Sequence, residues 1–122
     1  MDKINSDQIR LEDIIKSINE IEDFAKSGFE DRKTIMAIAY SIAIIGEAAN
    51  KLSSEVINLN NEIPWKQIIG MRHRIIHNYG NVDIKNLKQV VLRDLPNLRP
   101  RIESILKQIS SDYPKKRNQT PS

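Results

Sequence analysis

Between Met36 and Ala49 the chain reads Met-Ala-Ile-Ala-Tyr-Ser-Ile-Ala-Ile-Ile-Gly-Glu-Ala-Ala, a stretch that is apolar nearly all round a helical turn. A helix of that kind cannot stand at a surface on all sides; other elements have to wrap it. Six of its residues are small (Ala37, Ala39, Ala43, Gly46, Ala48 and Ala49), which lets neighbouring helices approach closely. The sequence therefore predicts one central, most buried helix over about residues 30–52, with the remaining elements packed against it.

Those remaining elements are legible as helices. From Leu11 onward, Leu11, Ile14, Ile15, Ile18, Ile21, Phe24 and Ala25 recur at spacings of three and four, predicting an amphipathic helix over about residues 2–26, ended at Ser27-Gly28. Residues 58–64 read as a loop. Pro64 suits the first turn of a third helix, predicted over 64–77 and stopping at Asn78-Tyr79-Gly80. Asp83 is placed to cap a fourth helix over 84–94. Pro96 and Pro100 then predict either a kink or a break before a last helix to about Ile109. No strand pattern and no internal repeat competes. The expectation is an all-α, up-and-down bundle of four to five helices over residues 1–111, followed by a disordered basic tail, residues 112–122, with two prolines and the run Lys115-Lys116-Arg117.

A length of 122 residues allows one domain and one core. The absence of cysteine excludes disulfides, thiolate metal sites and cysteine nucleophiles. No run approaches the roughly 20 apolar residues of a membrane span, and the first residues lack a signal-peptide pattern, so a cytoplasmic protein without a membrane partner is expected. The net charge of +3 hides an asymmetry: residues 1–62 carry −5 and residues 63–122 carry +8. A basic second half can attract a phosphate backbone; it can equally be a solvated face, or pair with the acidic half.

The segment Ile69-Gly70-Met71-Arg72-His73-Arg74-Ile75-Ile76-His77-Asn78-Tyr79-Gly80 gathers two arginines, both histidines and a tyrosine within eight positions. If the helix lasted through it, Arg72 and Tyr79 would share one face and His73 and His77 a neighbouring one. Three chemistries compete. His-x-x-x-His is a real metal-ligand spacing, but Arg74 stands where a zincin carries its glutamate, and no third ligand is evident; no metal and no cofactor is expected. Arg and His near a helix C-terminus can simply satisfy carbonyls, which explains any one of these residues better than all of them. Cleavage of RNA by its own 2′-hydroxyl needs proton transfer near neutrality, which histidine supplies, and a cation on the developing charge, which arginine supplies. One Arg–His pair is a thin constellation; two copies facing each other would make a fuller one, so this third chemistry suggests a homodimer.

Arg72-x4-His77-x-Tyr79 resembles the R-x4-6-H motif of the HEPN superfamily, in the R-x4-H-x-Y form of HepT-like toxins. The likeness extends to Ile44-Ile45-Gly46-Glu47-Ala48-Ala49-Asn50, to Ile63-Pro64-Trp65 before Ile68-Ile69-Gly70-Met71-Arg72, and to Val82-Asp83 and Asp94-Leu95-Pro96, in order, over about residues 8–109. The resemblance implies a metal-independent endoribonuclease whose dimer lines one cleft with both motifs, with Arg72 and His77 as the catalytic pair and RNA, in some members transfer RNA, as substrate. It implies as partner a minimal nucleotidyltransferase antitoxin of the MntA type that attaches AMP to the motif tyrosine, here Tyr79. His73 departs from the family pattern, where asparagine is usual, and is expected to be auxiliary.

Glu47, a carboxylate in an apolar helix, is expected to orient Arg72, the alternative being a surface-facing or dimer-interface residue. Trp65 reads as a core or interface anchor, and Asp31 as a cap or support of the second helix. The Lys115-Lys116-Arg117 run reads as a solvated tail or a loose hold on RNA. A different class of function is also compatible: a non-catalytic helical module that binds a nucleotide-transferring partner. A DNA-binding regulator ranks below both, because no helix-turn-helix is visible.

Overall fold

A computed structural model describes residues 3–109. Helix α1 (Lys3–Ala25) and helix α2 (Arg32–Asn50) form a hairpin, turned at Gly28, whose φ of 90° suits a residue without a Cβ. Asp31 caps α2, its carboxylate accepting from the Thr34 backbone N–H at 3.3 Å. Three short helices follow: α3 (Ser54–Leu59), α4 (Trp65–Ile69) and α5 (Met71–Ile75). Then α6 (Ile84–Gln89), a π turn (Val90–Asp94) and α7 (Leu95–Ile109) run on as continuous helical backbone. The fold is all-α, and no strand forms among the described residues; Ile76 and Val82 make a single antiparallel bridge.

The core is aliphatic, as the scarcity of aromatic residues requires. Leu11, Ile14, Ile18 and Ile21 of α1, Ile38, Ile42 and Ile45 of α2, and Ile102 and Leu106 of α7 are completely buried. Each such side chain contributes about 1.5–3 kcal/mol relative to exposure. Trp65 is buried and donates its Nε1–H to the Asn60 carbonyl at 3.0 Å, which seats the start of α4. The buried Asp7 is fully answered: Ser53 donates to it from its backbone N–H at 2.8 Å and from its hydroxyl at 2.6 Å. Ser53 in turn caps α3, so one carboxylate on α1 fixes the α2–α3 corner.

Three expectations are corrected. Helix α3 forms over residues that were given no element between the second helix, expected to about residue 52, and the loop expected over 58–64; Ser53 supplies the cap and Val56 the buried contact. The third predicted helix is two, α4 and α5, and it ends at Ile75 rather than His77, because Ile76 turns extended (φ −104°, ψ 120°). Of the two alternatives at Pro96 and Pro100, the break does not occur: helical backbone runs on through both prolines. The Leu95 N–H reaches back to the Val90 carbonyl, a turn widened by one residue just before Pro96, where a tight turn would set the proline ring against a carbonyl. That wider turn keeps Leu87, Val90, Val91, Leu95, Leu98 and Ile102 all facing inward. Among the described residues no helix is long and apolar enough to cross a membrane. The tail of residues 112–122 lies outside the described residues.

Candidate active site

The motif sits where α5 gives out. Gly46 of α2 makes room for it: a Cβ there would lie 3.1 Å from the Ile69 carbonyl oxygen and 3.2 Å from that of Ile68. The backbone of α4 can thus lie directly on α2, and Met71 and Ile75 bury the inner side of α5. Arg72 and His73 point outward, exposed, and among the described residues their side chains have no hydrogen-bond or ionic partner.

After Ile75 the chain makes a tight excursion. The Asp83 N–H donates to the Ile75 carbonyl and the His77 N–H to the Asn81 carbonyl, both at 2.7 Å. Between them Asn78–Gly80 forms a 3-10 turn in which Tyr79 adopts φ 60°, ψ 27°. A left-handed backbone costs a non-glycine residue about 1–2 kcal/mol. Tyr79 carries that cost with its side chain fully exposed, so no packing of its own offsets it. The loop presents the tyrosine to solvent.

The same closure brings Asp83 to His77. His77 Nε2 lies 3.6 Å from Asp83 Oδ2. Asp83 also caps α6, accepting from the Asn86 backbone N–H at 3.1 Å and side-chain amide at 2.8 Å. The two hydrogen bonds from Asn86 hold its carboxyl below the usual 3.8, with a smaller contribution from His77. The carboxylate is therefore ionised throughout the neutral range, behind an exposed imidazole. Sequence reading placed Asp83 as a cap and missed this second contact, which depends on how the 76–82 loop closes.

Glu47 does not orient Arg72. It is exposed and lies 3.9 Å from Lys51 Nζ on its own helix. The reason is angular: successive helical residues diverge by about 100°, and it is Gly46 that faces α4. That leaves the other alternative, a surface-facing or dimer-interface residue. The shared faces expected for Arg72 with Tyr79, and for His73 with His77, also fail, because the helix ends before His77. A partner that sequence reading did not find is Arg74, whose guanidinium meets Asp94 of the π turn at 3.2 Å, both side chains 37% exposed. Among the described residues no three His, Cys, Asp or Glu side chains gather as a metal ion would need.

A bundle that ends α5 in an exposed Arg, His and Tyr set defines a HEPN-type helical domain. The family model described as ribonuclease HepT-like matches residues 11–105, and the chain belongs to this family. Among its relatives is a protein of Thermococcus cleftensis named "Probable ribonuclease HepT", 37% identical over 80% of this chain and 93% of its own length. Two more with RNase in their names come from Methanocaldococcus jannaschii (31% identical, 84% of this chain and 88% of the relative) and Caldanaerobacter subterraneus subsp. tengcongensis (35%, 75% and 78%). No solved structure matches significantly.

Proposed function

We propose that this chain is a metal-independent endoribonuclease, the toxin of a toxin–antitoxin pair, that works as a homodimer with Arg72 and His77 at a shared cleft. The observation that carries the reading is the exposed guanidinium of Arg72, unpaired among the described residues, in the same short segment as an imidazole backed by the ionised Asp83. An imidazole takes the proton of the ribose 2′-hydroxyl as its oxygen attacks phosphorus. The P–O5′ bond breaks, a second imidazole gives a proton to the departing oxygen, and the products carry a 2′,3′-cyclic phosphate and a 5′-hydroxyl. Arg72 steadies the charge on the phosphorane oxygens. Each chain offers one such imidazole, and His77 of a second copy supplies the other. Met36 and Tyr40, exposed four residues apart on α2 with Ile44 half-buried in the same row, offer a second copy an apolar face.

Regulation falls to Tyr79. Its exposed hydroxyl is open to attack the α-phosphorus of ATP held by a nucleotidyltransferase antitoxin, releasing pyrophosphate and leaving AMP on the tyrosine, where it blocks the cleft. RNA, transfer RNA among the candidates, is the substrate class. The test is cleavage of RNA by purified protein in EDTA. Activity should fall about 10²–10⁴-fold in His77→Ala and Arg72→Ala, with unchanged melting because both side chains are exposed. Full activity in His77→Ala would end the assignment, and absence of cleavage alongside tight binding of a nucleotidyltransferase would favour the non-catalytic module.

A further inference from the structure

A cleft of about 220 Å³ lies beside the motif, between α4–α5 and the start of α7. That is smaller than the roughly 300–1,000 Å³ of sites for drug-sized ligands, and suits a single planar ring system. Its floor is apolar, made by Ile68, Met71, Leu95 and Leu98. Its rim is not: Gln67 and Asn97 stand there exposed, with Arg101 beside them. Among the described residues the Arg101 guanidinium meets no carboxylate and donates only to the Glu62 carbonyl, at 3.3 Å. Across Arg74 and Asp94 the cleft opens into a shallower groove that adds the amide of Gln89 and the carboxamide oxygen of Asn86, whose Nδ2 donates to Asp83, and reaches His73, the neighbour of Arg72.

We infer that this cleft and groove form a base-recognition subsite for an unpaired nucleotide of the RNA strand next to the phosphate that is cut. The lining chooses this occupant. A base presents apolar faces and an edge of alternating donors and acceptors, and carboxamides carry one of each, matching such edges in pairs. A protein segment would seek an apolar rim rather than the amides of Gln67, Asn97 and Gln89. The charges agree: the one acidic group, Asp94, is taken up by Arg74, which leaves Arg101 and His73 for the phosphates on either side. The π turn supplies this pairing, since Asp94 is its last residue; turns of this type occur often at functional sites. A base held here must be unstacked, so the substrate is a single strand or a loop rather than a duplex.

The inference rests on the ribonuclease reading but is tested without cleavage. Labelled 2′-O-methyl hexamers of adenylate, cytidylate and uridylate, which lack the attacking hydroxyl, are titrated with wild-type protein and followed by fluorescence anisotropy. The strongest and weakest should differ by about tenfold or more. In the Gln67→Ala/Asn97→Ala double variant that spread should collapse to about twofold or less, while melting is unchanged because both residues are exposed. Arg101→Ala should weaken all three strands alike and lower the salt dependence by about one phosphate contact. Equal affinities in the wild type, no binding, or a spread that survives the double variant would each overturn the subsite. If the spread behaves as expected but unmodified RNA is not cut, the subsite stands and the nuclease reading falls. If RNA is cut while the double variant keeps its preference, the reverse holds.

Discussion

His77 Nε2 lies 3.6 Å from Asp83 Oδ2, so the carboxylate that begins α6 also stands behind the imidazole that follows α5. The contact turns Nε2 toward Asp83 and, in the proposed reaction, leaves Nδ1 for the substrate. Asp83→Asn separates the two duties, because asparagine caps helices about as well as aspartate but brings no charge. Melting should move only by the modest amount that the lost charge contributes. Turnover of RNA should fall on the order of tenfold with KM unchanged, less than the roughly 10²–10⁴-fold expected from losing the imidazole itself. A KM effect, or unaltered turnover, would limit Asp83 to capping.

The same carboxylate gives a pH signature. Its folded-state pKa lies below the ordinary 3.8, chiefly through the two hydrogen bonds from Asn86. A depressed carboxyl pKa stabilises the fold above its unfolded value and ceases to do so as pH falls through the folded one. Melting temperatures of wild type and Asp83→Asn should therefore differ by a constant amount from pH 5 to 7 and converge below about 3.8. Convergence at higher pH would assign the effect to another carboxylate.

Arg74 and Asp94 join α5 to the π turn across 20 residues of chain at 3.2 Å. Both side chains are more than a third exposed, so solvent screens the pair and it contributes only about 0.5–1 kcal/mol. A double-mutant cycle with Arg74→Ala and Asp94→Ala should return a coupling of that size by chemical denaturation. Coupling near zero would mean that packing alone aligns the two elements.

The bundle was legible because its signals are local and periodic: the i, i+3, i+4 rows of α1, the small residues of α2 and the caps at Asp31 and Asp83 all act within a few residues. What stayed hidden was set by contacts remote in sequence. Whether α5 continues to His77 depends on Ile76 pairing with Val82 and on the Asp83 N–H reaching Ile75. The direction of Glu47 depends on which neighbour faces α4. Helix α3 rests on Asp7, 46 residues upstream of Ser53. Arg72 and His73 on α5 and His77 and Tyr79 in the segment after it are all exposed, but a loop rather than one helical face presents them.

Gly46 is the contact on which the site's position rests. Its missing Cβ lets two α4 carbonyls approach within 3.1–3.2 Å of where that atom would be, and backbone cannot swing aside as a side-chain tip can. Gly46→Val should destabilise the fold by about 1–3 kcal/mol through overpacking. It should also lower RNA cleavage beyond what residual folding explains, since displacing α4 displaces α5 and Arg72. A variant as stable and active as wild type would show that α4 is free to shift.

Tyr79 holds a left-handed backbone at φ 60° with its side chain wholly in solvent. For folding alone the position is badly filled: asparagine tolerates this region far better, and nothing is packed against the ring that its loss would expose. Tyr79→Asn should therefore stabilise the protein by about 0.5–1 kcal/mol, read from chemical denaturation, while removing the only hydroxyl the loop offers to an AMP donor. Co-expressed with a nucleotidyltransferase antitoxin of the proposed type, the wild type should gain mass in whole AMP units and the variant should not. Strain that is relieved by substitution together with loss of the modification would show that the loop keeps a tyrosine for its reactivity. Destabilisation would mean that the ring has a structural role, and AMP addition to the variant would place the acceptor elsewhere.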